Sequence, residues 1–347
     1  MNMTRAALFG SLLLLFLLCA PVCAGAAEYE LNMTSAYLDS HPVTQKVFIP
    51  WIEEIKRKSN GRLQIAFFNM NSFFPDEDTL RATAKGFTDI GHNAASREPG
   101  KMTAHSVMDI APLASADARS ATRAYWELYN NSPELQAELR GIKVLALHLS
   151  NPVQVMLTQT SSPGFTGFNR LLHGKTILVT TGTNLLQAKF MGAQPRLVSP
   201  TDFNAQLAAN KAGGFLLPVS DVPSLGLVQM VKSVIKTDLP PNAYWLGMNQ
   251  DVYDSLPRDL KKIIDDASGL KLSLDISKVL DESDAPTLNM LKSAGASLIE
   301  PAARQKQHWR NTLQPEIYSD WLIEMEQAKY MHAGEIYEKL LALEAAY

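Results

Sequence analysis

Only two cysteines occur in the 347 residues, Cys19 and Cys23, and both fall in the apolar N-terminal segment, so the remainder has neither a disulfide framework nor a thiolate zinc site. The residues before them, Phe16-Leu17-Leu18 and Ala20-Pro21-Val22, lack the small residue that a lipid-modified cysteine follows. No closely spaced glycines lead into a helix with a lysine behind them, which excludes a backbone cradle for phosphates. The seven histidines, His41, His92, His105, His148, His173, His308 and His332, are scattered without His-x-x-x-His spacing, so no metal site is expected. A Gly-x-Ser-x-Gly elbow is absent as well. Glu53-Glu54, Asp265-Asp266 and Asp281-Glu282 lie in helical stretches, where neighbours diverge by about 100° and form solvated faces rather than acid–base pairs. A net charge of −3 gives no basic field for nucleic acid or an anionic membrane. No cofactor, metal or catalytic residue is therefore assigned.

What is present begins with an address. Met1 to Arg5 is short and basic, Ala6 to Ala20 is an almost unbroken apolar run, and Ala24-Gly25-Ala26 offers small-x-small spacing. This predicts a signal peptide over 1–27, cleaved near Ala26-Ala27, and a periplasmic mature protein. The apolar run is shorter than the roughly 20 residues that span a bilayer, and no second one follows. About 320 residues then remain, more than one core comfortably serves, which suggests two lobes.

The pattern along those residues alternates strand and helix. Tyr29 to Thr34, Leu63 to Phe68 and Asp89 to Gly91 read as strands, separated by a helix carrying Phe48, Trp51, Ile52 and Ile55 on one face and another over about 76–85. Ser59-Asn60-Gly61 stops the first helix. After helices over 116–130 and 133–140 and a strand over 143–149, a second alternating block follows. Its strands are 154–160, 176–180, 196–198 and 214–217, its helices 185–191 and 200–210, and Ser161-Ser162-Pro163-Gly164 supplies a loop. From Leu256-Pro257 the chain is almost entirely helical, and one helix running to about Asp284 is long enough to bridge two lobes.

Three blocks then point to a family. They are Asn60-Gly61-Arg62-Leu63-Gln64-Ile65 with Phe73-Phe74-Pro75 and Gly86-Phe87-Thr88-Asp89-Ile90-Gly91, the cassette Gly174-Lys175-Thr176-Ile177-Leu178-Val179 through Gly213-Gly214-Phe215-Leu216-Leu217-Pro218, and Leu256-Pro257 leading into the long helix. In this order they resemble the substrate-binding subunits of tripartite ATP-independent periplasmic (TRAP) transporters, the DctP-like family. The resemblance implies an α/β fold of periplasmic-binding-protein type: two lobes, each a mostly parallel sheet flanked by helices, with a long interlobe helix. Residues 28–150 with 241–280 would form lobe I, and 151–240 with 281–347 lobe II and the C-terminal helices. It also implies a non-catalytic receptor that passes a small molecule to TRAP membrane subunits.

In that family arginines and an asparagine from lobe II usually hold a carboxylate. By alignment their places fall near Val153, at Leu178, and at Leu217 before Pro218. Burying a carboxylate without a partner costs at least several kcal/mol, whereas aliphatic surface gains about 25 cal/mol per Å² against an apolar ligand. The expected ligand is therefore apolar or amphipathic, fatty-acid-like or aromatic, with Val153, Leu178 and Leu217 on one wall. Further cleft candidates are Tyr37, Asn71, Phe73, His92, Asn93, His148, Phe215, Trp245 and Asn249. Three alternatives stay open: an organic-acid receptor with a relocated cationic anchor, a periplasmic docking protein whose cleft its own side chains fill, and an enzyme of the same architecture.

Overall fold

The turn Ser59-Asn60-Gly61 ends the helix Ile49–Lys58 as its residues dictate. Asn60 and Gly61 take φ of 52° and 80°, and the Gly61 N–H reaches back to the Lys56 carbonyl at 2.8 Å, satisfying an acceptor that the helix end leaves open. Trp51, Ile52 and Ile55 form its buried face. The computed structural model describes residues 27–69, 71–98, 100–111, 118–160, 172–209, 212–344 and 346. The segment expected to be a signal peptide, ahead of residue 27, and the loop expected at Ser161-Ser162-Pro163-Gly164 lie outside them.

Among the described residues the strands are β1 (Tyr29–Ser35), β2 (Leu63–Asn69), β3 (Ile90–Ala94), β4 (Ile142–Leu149), β5 (Val153–Leu157), β6 (Thr176–Val179), β7 (Gln194–Leu197), β8 (Gly214–Pro218), β9 (Ser233–Leu239), β10 (Ala243–Asn249) and β11 (Ser297–Ile299). They form one sheet of order β2-β1-β3-β10-β4 and another of order β11-β9-β5-β8-β6-β7. This is the two-lobe α/β architecture. The consecutive strands within each lobe pair in parallel, β1 with β2 and β3, and β6 with β7 and β8. Each sheet also contains one strand antiparallel to both its neighbours, β10 in the first and β5 in the second. These are the strands that follow the two crossings between lobes, residues 150–152 and 240–242. Each crossing is only three residues long.

The crossings are bonded to each other. The Ser150 N–H donates to the Asn242 carbonyl and the Asn242 N–H to the Ser150 hydroxyl oxygen, both at 2.9 Å. The long helix differs from the sequence expectation. Instead of one run from Pro257, Arg258–Ala267 and Leu270–Ser293 are separate helices, because Gly269 sits at φ 77°, a conformation that a helix cannot contain. The second helix then runs past Asp284 and carries Pro286 inside it. It packs on Ala118–Asn130 in lobe I and on the turn Val219–Asp221 in lobe II, so it spans both. Three apolar clusters hold the lobes: one under Ile49–Lys58, one on the far face of the second sheet around Phe203 and Phe215, and one shared with the C-terminal helices Ala303–Gln327 and Ala333–Glu344. Among the described residues no helix is long and apolar enough to cross a membrane.

Candidate functional site

The ends of β1, β3, β6 and β8 face one another across the gap between lobes. Alternation along β1 turns Ser35 inward, and the chain then bends so that Tyr37, Leu38 and His41 enter the gap. From the other lobe come Thr180, Leu217, Asp221 and Leu225 among others, and Arg97 and Tyr244 add to the lining. The cavity they enclose is about 20 Å³, room for roughly one water. A larger, open cavity of about 480 Å³ lies behind the Ala95–Arg97 turn, lined by Glu98, Trp321 and Glu324 among others. It too takes residues from both lobes, Ala95 and Ser96 on one side and Gly182 to Leu186 on the other, but it is backed by the C-terminal helix Ala303–Gln327, whereas the smaller space lies directly between the strand ends.

The lobes meet through polar contacts around it. His41 Nε2 stands 3.2 Å from Asp221 Oδ1, the Ser40 hydroxyl donates to the Ser224 carbonyl at 3.2 Å, and the Arg97 guanidinium donates to the carbonyls of Thr180 and Val198. His41 Nδ1 accepts from the Val43 N–H at 3.2 Å, so its Nε2 carries the proton given to Asp221. Arg97 also pairs with the buried carboxylate of Asp76. Burial raises the Asp76 pKa, but the Arg97 charge beside it and further hydrogen bonds outweigh that and leave it below the usual value. The pair is thus ionised and internally neutral.

Under the cleft floor the rings stack. Tyr37 lies on His41 with centroids 3.8 Å apart and 9° between planes, and Tyr244 stacks on His148 at 5.0 Å. His148 Nδ1 faces the Leu149 carbonyl at 3.3 Å, which only accepts, so His148 Nε2 must accept from His92 Nε2, 3.1 Å away. His92 Nδ1 in turn accepts from the Ser35 hydroxyl at 2.9 Å. Both imidazoles are neutral: burial lowers His148 to about 3 and holds His92 well below its usual value, with His148 adding to the latter shift.

Of the residues proposed from sequence, Tyr37 and Leu217 line the cleft. His92 and His148 lie directly beneath Tyr37 and Tyr244. Asn71 bridges the rim, donating to Ser199 Oγ at 2.6 Å, and Asn93 sits behind Arg97, donating to the Asp76 carbonyl at 2.8 Å. Leu178 and Phe215 are fully buried beside Leu217 in one apolar cluster, below the surface rather than on it. Val153 does not share their wall. It pairs with Pro218, whereas its neighbour Gln154 pairs with Leu217, so Val153 faces the opposite side of the sheet. Phe73 is outside the cleft, 56% exposed and edge-on to Phe68. Trp245 is buried in the core on the face opposite Tyr244, against Gly91. Asn249 caps the helix Gln250–Ser255 by accepting from the Val252 N–H at 2.9 Å. His41, Arg97, Thr180, Asp221 and Tyr244 were not among the sequence candidates.

At the hinge Asp109 is fully buried, accepting from the Ala243 N–H at 2.5 Å and from Ser96 Oγ at 2.6 Å. Burial raises its pKa to about 7 despite these bonds. Its folded-state value lies above the ordinary one, so the stability it contributes is full below about pH 4 and is lost as pH rises through 7. Asp109→Asn should remove that dependence. The melting temperature of the variant relative to the wild type should climb from pH 4 to 7 and level off above; a difference constant with pH would contradict the assignment.

A family model described as bacterial extracellular solute-binding protein, family 7 (DctP), matches residues 34–321. Among solved structures, a TRAP solute-binding protein from Rhodoferax ferrireducens, in complex with copurified benzoate, superposes with a TM-score of 0.83 at 21% identity, covering 91% of this chain and 98% of that one. A marine metagenome TRAP protein specific for aromatic acid ligands gives 0.83 at 18% identity over 92% and 99%. One from Bordetella bronchiseptica with bound (R)- and (S)-mandelate gives 0.79 at 19% over 91% and 99%. The protein TsaT of Comamonas testosteroni, named an outer membrane transporter protein, is 23% identical over 255 residues, 72% of this chain and 73% of its own length. At these identities the structural likeness carries the fold.

Proposed function

Because the chain belongs to the bacterial extracellular solute-binding proteins of family 7, the non-catalytic solute receptors of TRAP transporters, we propose that its ligand is a small amphipathic molecule carrying an aromatic ring. It would be taken up in the periplasm and handed to the TRAP membrane subunits. The observation that carries this reading is the cleft lining, where Tyr37, Tyr244, Leu38, Leu217 and Leu225 supply ring faces and aliphatic surface. Leu178, which aligns with the family's arginine, supports it with an aliphatic side chain in the same apolar cluster as Phe215 and Leu217. The aromatic ligands of the three structural relatives lend the ring further support.

Ligand pockets commonly enclose about 300–1,000 Å³, so the lobes must part for entry. That motion breaks the His41–Asp221, Ser40–Ser224 and Arg97–Thr180 contacts, while the crossings at 150–152 and 240–242 bend. Melting the purified protein with a panel of aromatic, aliphatic and dicarboxylic compounds tests the proposal. At a hundredfold excess over Kd a bound ligand stabilises by about 2.7 kcal/mol. Aromatic amphiphiles should raise the melting temperature and short dicarboxylates should not. The narrow cavity favours a second reading, a docking protein with a self-filled cleft, and a panel without any shift would select it.

A further inference from the structure

Arg97 is the one cationic side chain, apart from histidine, among the described residues lining the cleft, and its charge is already answered. One terminal nitrogen donates to the Thr180 and Val198 carbonyls and the other to Asp76. Arg97 and Asp76 are both at least 93% buried. A carboxylate of the protein itself therefore occupies the position opposite the guanidinium. The remaining charged group on the lining is Asp221, which takes the His41 proton donor and the Ser220 hydroxyl. Summed over these residues the cleft offers a neutral pair and a carboxylate. Of the five guanidinium N–H bonds three are taken, which leaves the Nε–H, buried and without a hydrogen-bond partner, and the second N–H of the nitrogen that faces Asp76.

We infer that Asp76 sets the charge selectivity of this cleft: by standing as an internal carboxylate on Arg97, it restricts the ligand to an uncharged polar group, such as an amide, ester or alcohol. This rests on the receptor reading above and sharpens it. A second carboxylate brought into the closed cleft would lose its water, find no unpaired cation and face Asp221, an unfavourable combination of desolvation and like charge. A carbonyl or hydroxyl oxygen accepts from a remaining Arg97 N–H without adding charge, and the ring lies on Tyr37 and Tyr244 as a carboxylate's ring would. Selectivity thus comes from the negative partner of the arginine rather than from its absence.

Calorimetric titration of the mature protein with benzamide and benzoate at pH 7.5 tests this directly. The wild type should bind benzamide at least about tenfold more tightly than benzoate, and Asp76→Asn, which leaves the guanidinium charge unneutralised, should shift that ratio toward benzoate by about tenfold or more. Adding Arg97→Gln to Asp76→Asn should erase the shift. Benzoate binding to the wild type as tightly as benzamide would overturn the inference and leave the aromatic receptor intact, and it needs no substitution to be read. An unchanged ratio in a folded Asp76→Asn protein would also overturn it. If neither compound nor any other aromatic probe binds, the receptor reading fails together with this one.

Discussion

Leu178→Arg is expected to lower the melting temperature by roughly 10 °C, reflecting a loss on the order of 3–5 kcal/mol from an uncompensated buried charge. Leu178 is fully buried among Phe203, Phe215 and Leu217, and no carboxylate belongs to that cluster. Arg196 pairs with it across β6 and β7, so the nearest strand partner repels a new cation. Extra volume in a packed cluster adds a further 1–3 kcal/mol or so. Leu178→Met, which nearly conserves volume, should cost less than about 1.5 kcal/mol and serves as the control. Thermal melting followed by circular dichroism reads both. An arginine variant that melts with the wild type and gains carboxylate binding would mean that this side chain reaches the cleft surface after all.

Arg97→Met carries the second large effect. It strands the Asp76 carboxylate in a site from which water is excluded, and removing one partner of a buried pair typically costs about 3–5 kcal/mol. Asp76→Asn should be milder, because the Arg97 guanidinium keeps its bonds to the Thr180 and Val198 carbonyls and the amide oxygen still accepts. The double variant Arg97→Met/Asp76→Asn removes the orphaned charge and should recover roughly half or more of the loss, a coupling that a double-mutant cycle measures. Additive losses would show that the two groups do not act as a pair.

The first of these predictions depends on which face of a strand the side chain takes, the least legible property of the sequence. The order of strands and helices, the stop at Gly61 and the second-lobe cassette are written in local pattern, since apolar period and turn residues act within a few positions. Face parity is different, because β5 and β10 are buried along their whole length, and apart from Gln154 and the terminal Asn249 their residues are apolar or glycine, so little alternation is left to read. The alignment that sets a family arginine near Val153 thus lands one residue from Gln154, which shares the face of Leu217, and Trp245, an aromatic near a strand end, lies on the face opposite Tyr244. A one-residue error in such a run exchanges cleft for core. Arg97 escaped for another reason: its importance comes from Asp76, Thr180 and Val198, which only the closed tertiary structure brings to it. His41 had a visible signal, a histidine before proline at the mouth of the first helix, but nothing local announced Asp221 as its partner. The split at Gly269 was marked by the glycine itself, between two helical stretches of good period.

The bonded crossings at 150–152 and 240–242 have a mechanical consequence. Two independent strands joining two bodies would permit twist as well as bend, but Ser150 and Asn242 hold each other by two hydrogen bonds, and Asn151 donates to the Leu280 carbonyl of the long helix at 3.0 Å. The three segments are thereby tied to one another, so a rotation of the lobes must carry them together. A partner that grips both lobes can then drive release by displacement along that rotation, and ligand affinity and lobe separation become two readings of the same angle.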